Sequence, residues 1–115
     1  MTITKQDILA ITDRLKQPDV EKIILFGSFA MGTSNTDSDL DLIVVTSDPE
    51  IPDSFSSRMK VVLRVNQYIS DYKKKYPIDL VVYTKGMYQK FIELNSSFYK
   101  EISKTGRILY EKDNN

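Results

Sequence analysis

Three aspartates stand where a folded chain has little structural reason to place them. Asp41 interrupts the apolar run Leu40-Asp41-Leu42-Ile43-Val44-Val45, Asp79 interrupts Ile78-Asp79-Leu80-Val81-Val82, and Asp39 lies two residues before Asp41. Aspartate is a poor strand former, and a lone buried carboxylate costs several kcal/mol unless it is paired or metal-bound. Side chains alternate along a strand, so Asp39 and Asp41 share a face, roughly 6–7 Å apart, a spacing that suits a pair of hard divalent cations held through oxygen. If the strand of Asp79 neighbours that of Asp41, the third carboxylate comes within about 5 Å. Three like charges this close repel strongly in a dry site, and bound Mg²⁺ turns that repulsion into attraction. Taken singly, each of these residues could be a turn or capping aspartate, and a lone Asp-x-Asp is a weak motif. The joint pattern is harder to dismiss.

Gly27-Ser28 closes the apolar run Ile23-Ile24-Leu25-Phe26. A Gly-Ser turn after a strand offers backbone N–H groups and a hydroxyl to phosphate oxygens. In isolation it is only a turn; its position relative to the acids gives it weight.

Composition narrows the chemistry further. The 115 residues include no cysteine and no histidine, so disulfides, thiolate chemistry and imidazole catalysis are all excluded. Catalysis must rest on carboxylates, hydroxyls, Lys, Arg or an oxygen-bound metal. Sixteen Lys and Arg balance sixteen Asp and Glu, a neutral sum that does not favour non-specific nucleic-acid binding. No apolar run reaches the ~20 residues that span a bilayer, and residues 1–13 are too polar for a signal peptide. The expected setting is the cytoplasm, with no membrane attachment.

The elements that must position these residues can be read from periodicity. Thr4 and Asp7 resemble a capping box opening a helix through Ile8, Ile11 and Leu15, ended by Pro18. A strand over Ile23–Phe26, a polar loop over Thr33–Asp37 and a strand over Leu40–Val45 follow. Residues 49–53 connect to one long helix with Phe55, Met59, Val62, Ile69, Tyr72 and Tyr76 on its apolar stripe, closed by Pro77. Lys73-Lys74-Lys75 is expected to be a solvated run complementing the carbonyl end of that helix. Ile78–Tyr83 reads as a third strand. Met87, Phe91, Leu94, Phe98 and Ile102 read as helix interrupted near Asn95-Ser96-Ser97, with Gly106 as C-terminal cap. The aromatic stripe Phe91, Phe98, Tyr99 is assigned to core packing. Ile108–Tyr110 adds a short strand and Lys112–Asn115 a frayed tail. Alternating helices and strands imply an α/β or α+β sheet with helical cover, in a single domain spanning residues 1–115.

Gly27-Ser28, ten intervening residues, then Asp39-Leu40-Asp41 resembles the signature of the DNA polymerase beta-like nucleotidyltransferase superfamily. The wording Gly-Ser-Phe-Ala-Met-Gly followed by Ser-Asp-Leu-Asp-Leu-Ile-Val-Val is most similar to the minimal nucleotidyltransferases, the MNT proteins often encoded beside a HEPN partner. Ile78 to Tyr83 resembles the strand bearing the third family carboxylate, and Gly106 to Glu111 the usual family ending. The chain departs from close relatives at Met31, where they often carry Arg, which puts a phosphate contact from that position in doubt.

The resemblance implies an α+β fold, a small mixed sheet with helices mainly on one face. It implies Mg²⁺-dependent transfer of a nucleoside monophosphate, AMP above all, from ATP or another triphosphate to a hydroxyl. In that scheme Asp39 and Asp41 hold two Mg²⁺ ions, Asp79 helps hold one of them, and Gly27 and Ser28 cradle the β- and γ-phosphates. The implied role is an antitoxin placing AMP on a tyrosine of a HEPN toxin; the alternative is a weak or inactive member of the fold that neutralises its partner by contact. Larger relatives carry an extra domain that grips the acceptor. A chain of 115 residues leaves no room for one, so a partner macromolecule or a homodimer is expected to complete the site.

Overall fold

A computed structural model describes residues 2–113. The order of elements is α1 (Lys5–Leu15), β1 (Val20–Phe26), α2 (Ser28–Met31), β2 (Leu40–Thr46), α3 (Phe55–Gln67), α4 (Ser70–Lys75), β3 (Ile78–Tyr83), α5 (Lys85–Leu94), α6 (Ser97–Thr105) and β4 (Arg107–Glu111). The strands form one mixed sheet in the order β3-β2-β1-β4. β1 is antiparallel to both of its neighbours, whereas β2 and β3 are parallel. The expected α+β architecture is the observed one.

Strand alternation sorts the apolar residues onto two faces. Leu40, Leu42 and Val44 of β2, with Ile78 and Val82 of β3 and Ile23 and Leu25 of β1, meet Ile11 and Leu15 of α1 and Val65 of α3 in the larger core. A register shift between Val20 and Lys22 inserts one residue into β1 and brings Val20 to this same face. The opposite face carries a smaller cluster in which Ile24, Ile43 and Val45 pack against Ile102 of α6, with Phe26, Val81, Tyr83 and Tyr88 at its margin. The aromatic stripe joins it: Phe91 lies 5.1 Å from Tyr83, 5.7 Å from Phe98 and 5.4 Å from Tyr99, ring centre to ring centre.

Several element boundaries follow from local chemistry. Thr4 caps α1 through the reciprocal hydrogen bonds of a capping box with Asp7. The single long helix expected over residues 55–76 is two helices. Tyr68 and Ile69 donate to Val65 and Asn66, one residue short of α-helical spacing, and this tighter turn separates α3 from α4. Val65, Ile69 and Tyr76 stay buried across the break, while Phe55 lies outside the stripe at 79% exposure. The interruption near Asn95 is present: Asn95 adopts the left-handed conformation and Ser96 caps α6. Gly106 ends α6 in extended rather than left-handed backbone, its N–H donating to Ile102 O. Lys112 donates to Glu21 O and Pro18 O, so the start of the expected frayed tail is tied down; its last residues, 114 and 115, lie outside the described ones. Among the described residues no helix is long and apolar enough to cross a membrane.

Candidate functional site

The sheet brings the acidic strands side by side. β2 and β3 pair in parallel with Asp41 opposite Asp79, so both side chains leave the same face of the sheet from strands about 4.8 Å apart. Asp39 sits just ahead of β2, in the segment leaving the loop. Asp41 is half-buried; Asp39 and Asp79 are exposed. Burial first, then the charges of Asp79 and Asp39, hold the Asp41 carboxyl above its ordinary value. Asp41 therefore feels the charge of both neighbours. They are not closed around a point: among the described residues no group of three Asp, Glu, His or Cys side chains is drawn close enough to enclose an ion.

Across the sheet, Asp41 is paired with Phe26, the last residue of β1. The next residue, Gly27, has φ 75° and ψ −156°, backbone essentially restricted to glycine. This conformation turns the chain from β1 straight into the single turn of α2, which Ser28 opens and Met31 ends. Gly27 also faces Asp41, whose Oδ2 occupies the place of any added Cβ. The Gly-Ser turn and the acidic strand thus meet directly. Met31 is 48% exposed, so the apolar side chain at the departed position faces solvent.

The loop before Asp39 is braced by two residues that the sequence did not single out. Ser38 Oγ accepts from Asn35 N–H at 2.9 Å, Asn35 Oδ1 accepts from Asp37 N–H at 2.8 Å, and Ser38 N–H donates to Asn35 O at 3.1 Å. Asn and Ser in a polar loop are the available sequence signal for such a brace.

Two openings flank the acids. A cleft of about 510 Å³ lies beside Asp79 on the β3 edge, lined by Leu63, Asn66, Lys73 and Leu80 among others. On the β1 side, a smaller cavity of about 210 Å³ adjoins Gly27, between Phe26 and α6. At the far end of β2, Arg64 joins Asp19 (Nε to Oδ2, 2.9 Å) and Asp48, with Tyr68 and Thr46 donating to the same two carboxylates. Its pairing and distance from the acids mark it as a structural clamp.

The donor set fits hard, oxygen-seeking ions such as Mg²⁺: carboxylates alone, in a chain without imidazole or thiolate. Gly27, having no Cβ, leaves the space that the Asp41 carboxylate takes. Carboxylates beside a glycine-led turn, on a small mixed sheet, are the arrangement the sequence led one to expect.

The chain belongs to the polymerase beta nucleotidyltransferase family, whose model (Polymerase beta, Nucleotidyltransferase) matches residues 8–115. It is 29% identical over 91 residues to a provisionally named protein adenylyltransferase of Methanocaldococcus jannaschii, covering 79% of either chain. Among solved structures, a provisionally named nucleotidyltransferase from Sulfolobus solfataricus superposes with a TM-score of 0.56 at 18% identity, over 91% of this chain and 78% of that one. A chain of a toxin–antitoxin assembly solved with AMP-PNP superposes with a TM-score of 0.50 at 20% identity, over 92% and 72%. These two likenesses concern the fold.

Proposed function

We propose that this nucleotidyltransferase uses Asp39, Asp41 and Asp79 to move a nucleoside monophosphate, AMP in the first instance, from a nucleoside triphosphate to a hydroxyl on a partner protein. The observation that carries this reading is the register of β2 and β3, which sets Asp41 beside Asp79 on one face with Asp39 just upstream. Asp39 and Asp41 would hold two Mg²⁺ ions, with Asp79 on one of them, and when bound these ions neutralise developing phosphate charge and make the acceptor hydroxyl easier to deprotonate. Gly27 and Ser28 present backbone N–H groups and a hydroxyl to the β- and γ-phosphates. Asp79, on the edge strand beside the larger cleft, orients the acceptor hydroxyl. The acceptor oxygen forms the new bond to the α-phosphorus, the α–β bridging bond breaks, pyrophosphate leaves, and the hydroxyl proton passes through the carboxylates to water.

A macromolecular acceptor is favoured because the flanking cleft is open and carries exposed Leu63 at 56% exposure. The adenylyltransferase relative and the fold shared with a toxin–antitoxin component support transfer to a partner protein; on this reading the chain is a cytoplasmic antitoxin and the partner a HEPN-type toxin, as the resemblance of its motifs implies. Incubating the chain with Mg²⁺, ATP labelled at the α-phosphate and the product of the neighbouring gene tests this directly. Label is expected on the partner and is lost in Asp41→Asn. Tight partner binding that Asp41→Asn leaves intact, with no label transferred by either protein, would instead identify a contact inhibitor.

A further inference from the structure

From the cavity between β1 and α6, we infer a nucleobase subsite: Phe26 and Phe98 wall the base of the triphosphate, and Glu101 accepts a hydrogen bond from its exocyclic amino group. The inference rests on the nucleotide reading above and adds where the base lies and what distinguishes it.

The cavity is lined by Phe26, Gly27, Phe98, Glu101, Ile102 and Thr105 and measures about 210 Å³. This is below the ~300–1,000 Å³ of sites for drug-sized ligands and suits a single flat ring system. Its aromatic wall is preorganised: Phe98 meets Phe26 edge to face, with centroids 5.5 Å apart and planes at 79°, and meets Phe91 at 5.7 Å. Phe98 nevertheless keeps 38% of its surface exposed, an unusual residue of apolar area for a ring held on two sides. A base laid against that free face gains stacking without disturbing the cluster.

Position argues for the nucleoside rather than the acceptor. Phe26 is the cross-strand partner of Asp41, and Gly27 belongs to both the cavity and the phosphate turn. Asp79, by contrast, lies on the other side of β2 at the β3 edge. The acids therefore separate an acceptor side on β3 from a nucleotide side on β1. Charge argues in the same direction. Glu101 repels phosphate, so the cavity admits the uncharged end of a nucleotide, and its carboxylate can only accept hydrogen bonds. Thr105 Oγ1 donates to Glu101 O at 2.8 Å, which leaves the carboxylate of Glu101 out of that bond. Adenine presents an amino donor of the required kind; uracil has none.

Calorimetric titration of the full chain with Mg²⁺ and three probes tests the subsite. The probes are ATP, purine riboside triphosphate (ATP without its 6-amino group) and inorganic tripolyphosphate. Phe98→Ala is expected to weaken ATP about tenfold and leave tripolyphosphate unchanged. Glu101→Leu is expected to abolish the wild-type preference for ATP over the amino-free analogue. Both positions are solvent-accessible, so unchanged tripolyphosphate binding also reports an intact fold. Unchanged ATP affinity in Phe98→Ala, or a parallel loss of tripolyphosphate, overturns the subsite. If wild type binds ATP no better than tripolyphosphate yet still transfers label, the subsite falls and the transferase reading stands. If wild type binds none of the three, the transferase reading falls and the subsite with it.

Discussion

Gly27 and Asp41 are fitted to each other: the space a Cβ at position 27 would need is filled by Asp41 Oδ2. Backbone and carboxylate therefore constrain one position in two independent ways, since φ 75° with ψ −156° already restricts it to glycine. Gly27→Ala is expected to cost about 1–3 kcal/mol of stability and to depress nucleotidyl transfer at least tenfold by displacing the carboxylate. Gly32 is the internal control. It shares φ 75° but has open space around it, so Gly32→Ala should cost only ~1–2 kcal/mol and leave transfer near wild type. Equal transfer by the two variants would show that the fit at Asp41 is immaterial.

Asp41 is half-buried and faces the charges of Asp79 and Asp39, an arrangement that works against the fold when no cation is present. Asp41→Asn is expected to raise the melting temperature by a few degrees in chelator-treated protein while abolishing transfer. Mg²⁺ at millimolar concentration should stabilise wild type and have little effect on the variant, because only an ion bound to the native state shifts the transition. A Mg²⁺-induced shift of equal size in both proteins would remove Asp41 from the ion site.

What could be read from the sequence divides along physical lines. The strands over Leu40–Val45 and Ile78–Tyr83 were legible because β-branched runs between turn residues have few alternatives, and their shared register then followed from one neighbour relation. β1 begins at Val20 rather than Ile23, since Glu21 and Lys22 hide the start of the strand. The break at Tyr68-Ile69 was invisible to periodicity, because Val65, Ile69 and Tyr76 hold a buried stripe through it. Arg64 finds Asp19 across 45 positions, a pairing no local pattern announces. The same holds for Phe26 and Phe98, which meet only once β1 and α6 pack.

The Arg64 clamp makes a prediction about acid. Burial alone would raise the Asp48 carboxyl, but hydrogen bonds from Thr46 and Arg64, with the Arg64 charge, hold it below its ordinary value of 3.8. A carboxylate lowered in the folded state stabilises the fold above its unfolded value and loses that contribution as pH falls through the folded one. Asp48→Asn should therefore lower the melting temperature most near neutral pH, with the difference from wild type closing as pH falls below about 4. Arg64→Ala should be worse, about 1–3 kcal/mol, because it removes the guanidinium that pairs with both Asp19 and Asp48 and leaves each carboxylate only its hydroxyl donor. A wild-type-to-Asp48→Asn difference that stays constant down to the acid transition would show that the clamp carries no charge-dependent stability.

Asn35 and Ser38 hold the loop from which Asp39 emerges, and their bonds are confined to that loop. Their loss should leave the core untouched, since both side chains lie outside the two apolar clusters. The effect belongs to the site: with the loop freed, Asp39 spends less time placed for an ion beside Asp41. Ser38→Ala is expected to leave the melting temperature within a degree or two of wild type and to cut transfer about fivefold, the worth of one neutral hydrogen bond. The loss should be recovered in part by raising Mg²⁺, because a mobile ligand weakens ion affinity before it alters the chemical step. Ser38→Thr retains the hydroxyl and should restore both activity and Mg²⁺ dependence. If Ser38→Ala instead lowers stability as much as activity, or leaves the Mg²⁺ dependence where it was, the brace serves the loop's fold and does not position Asp39.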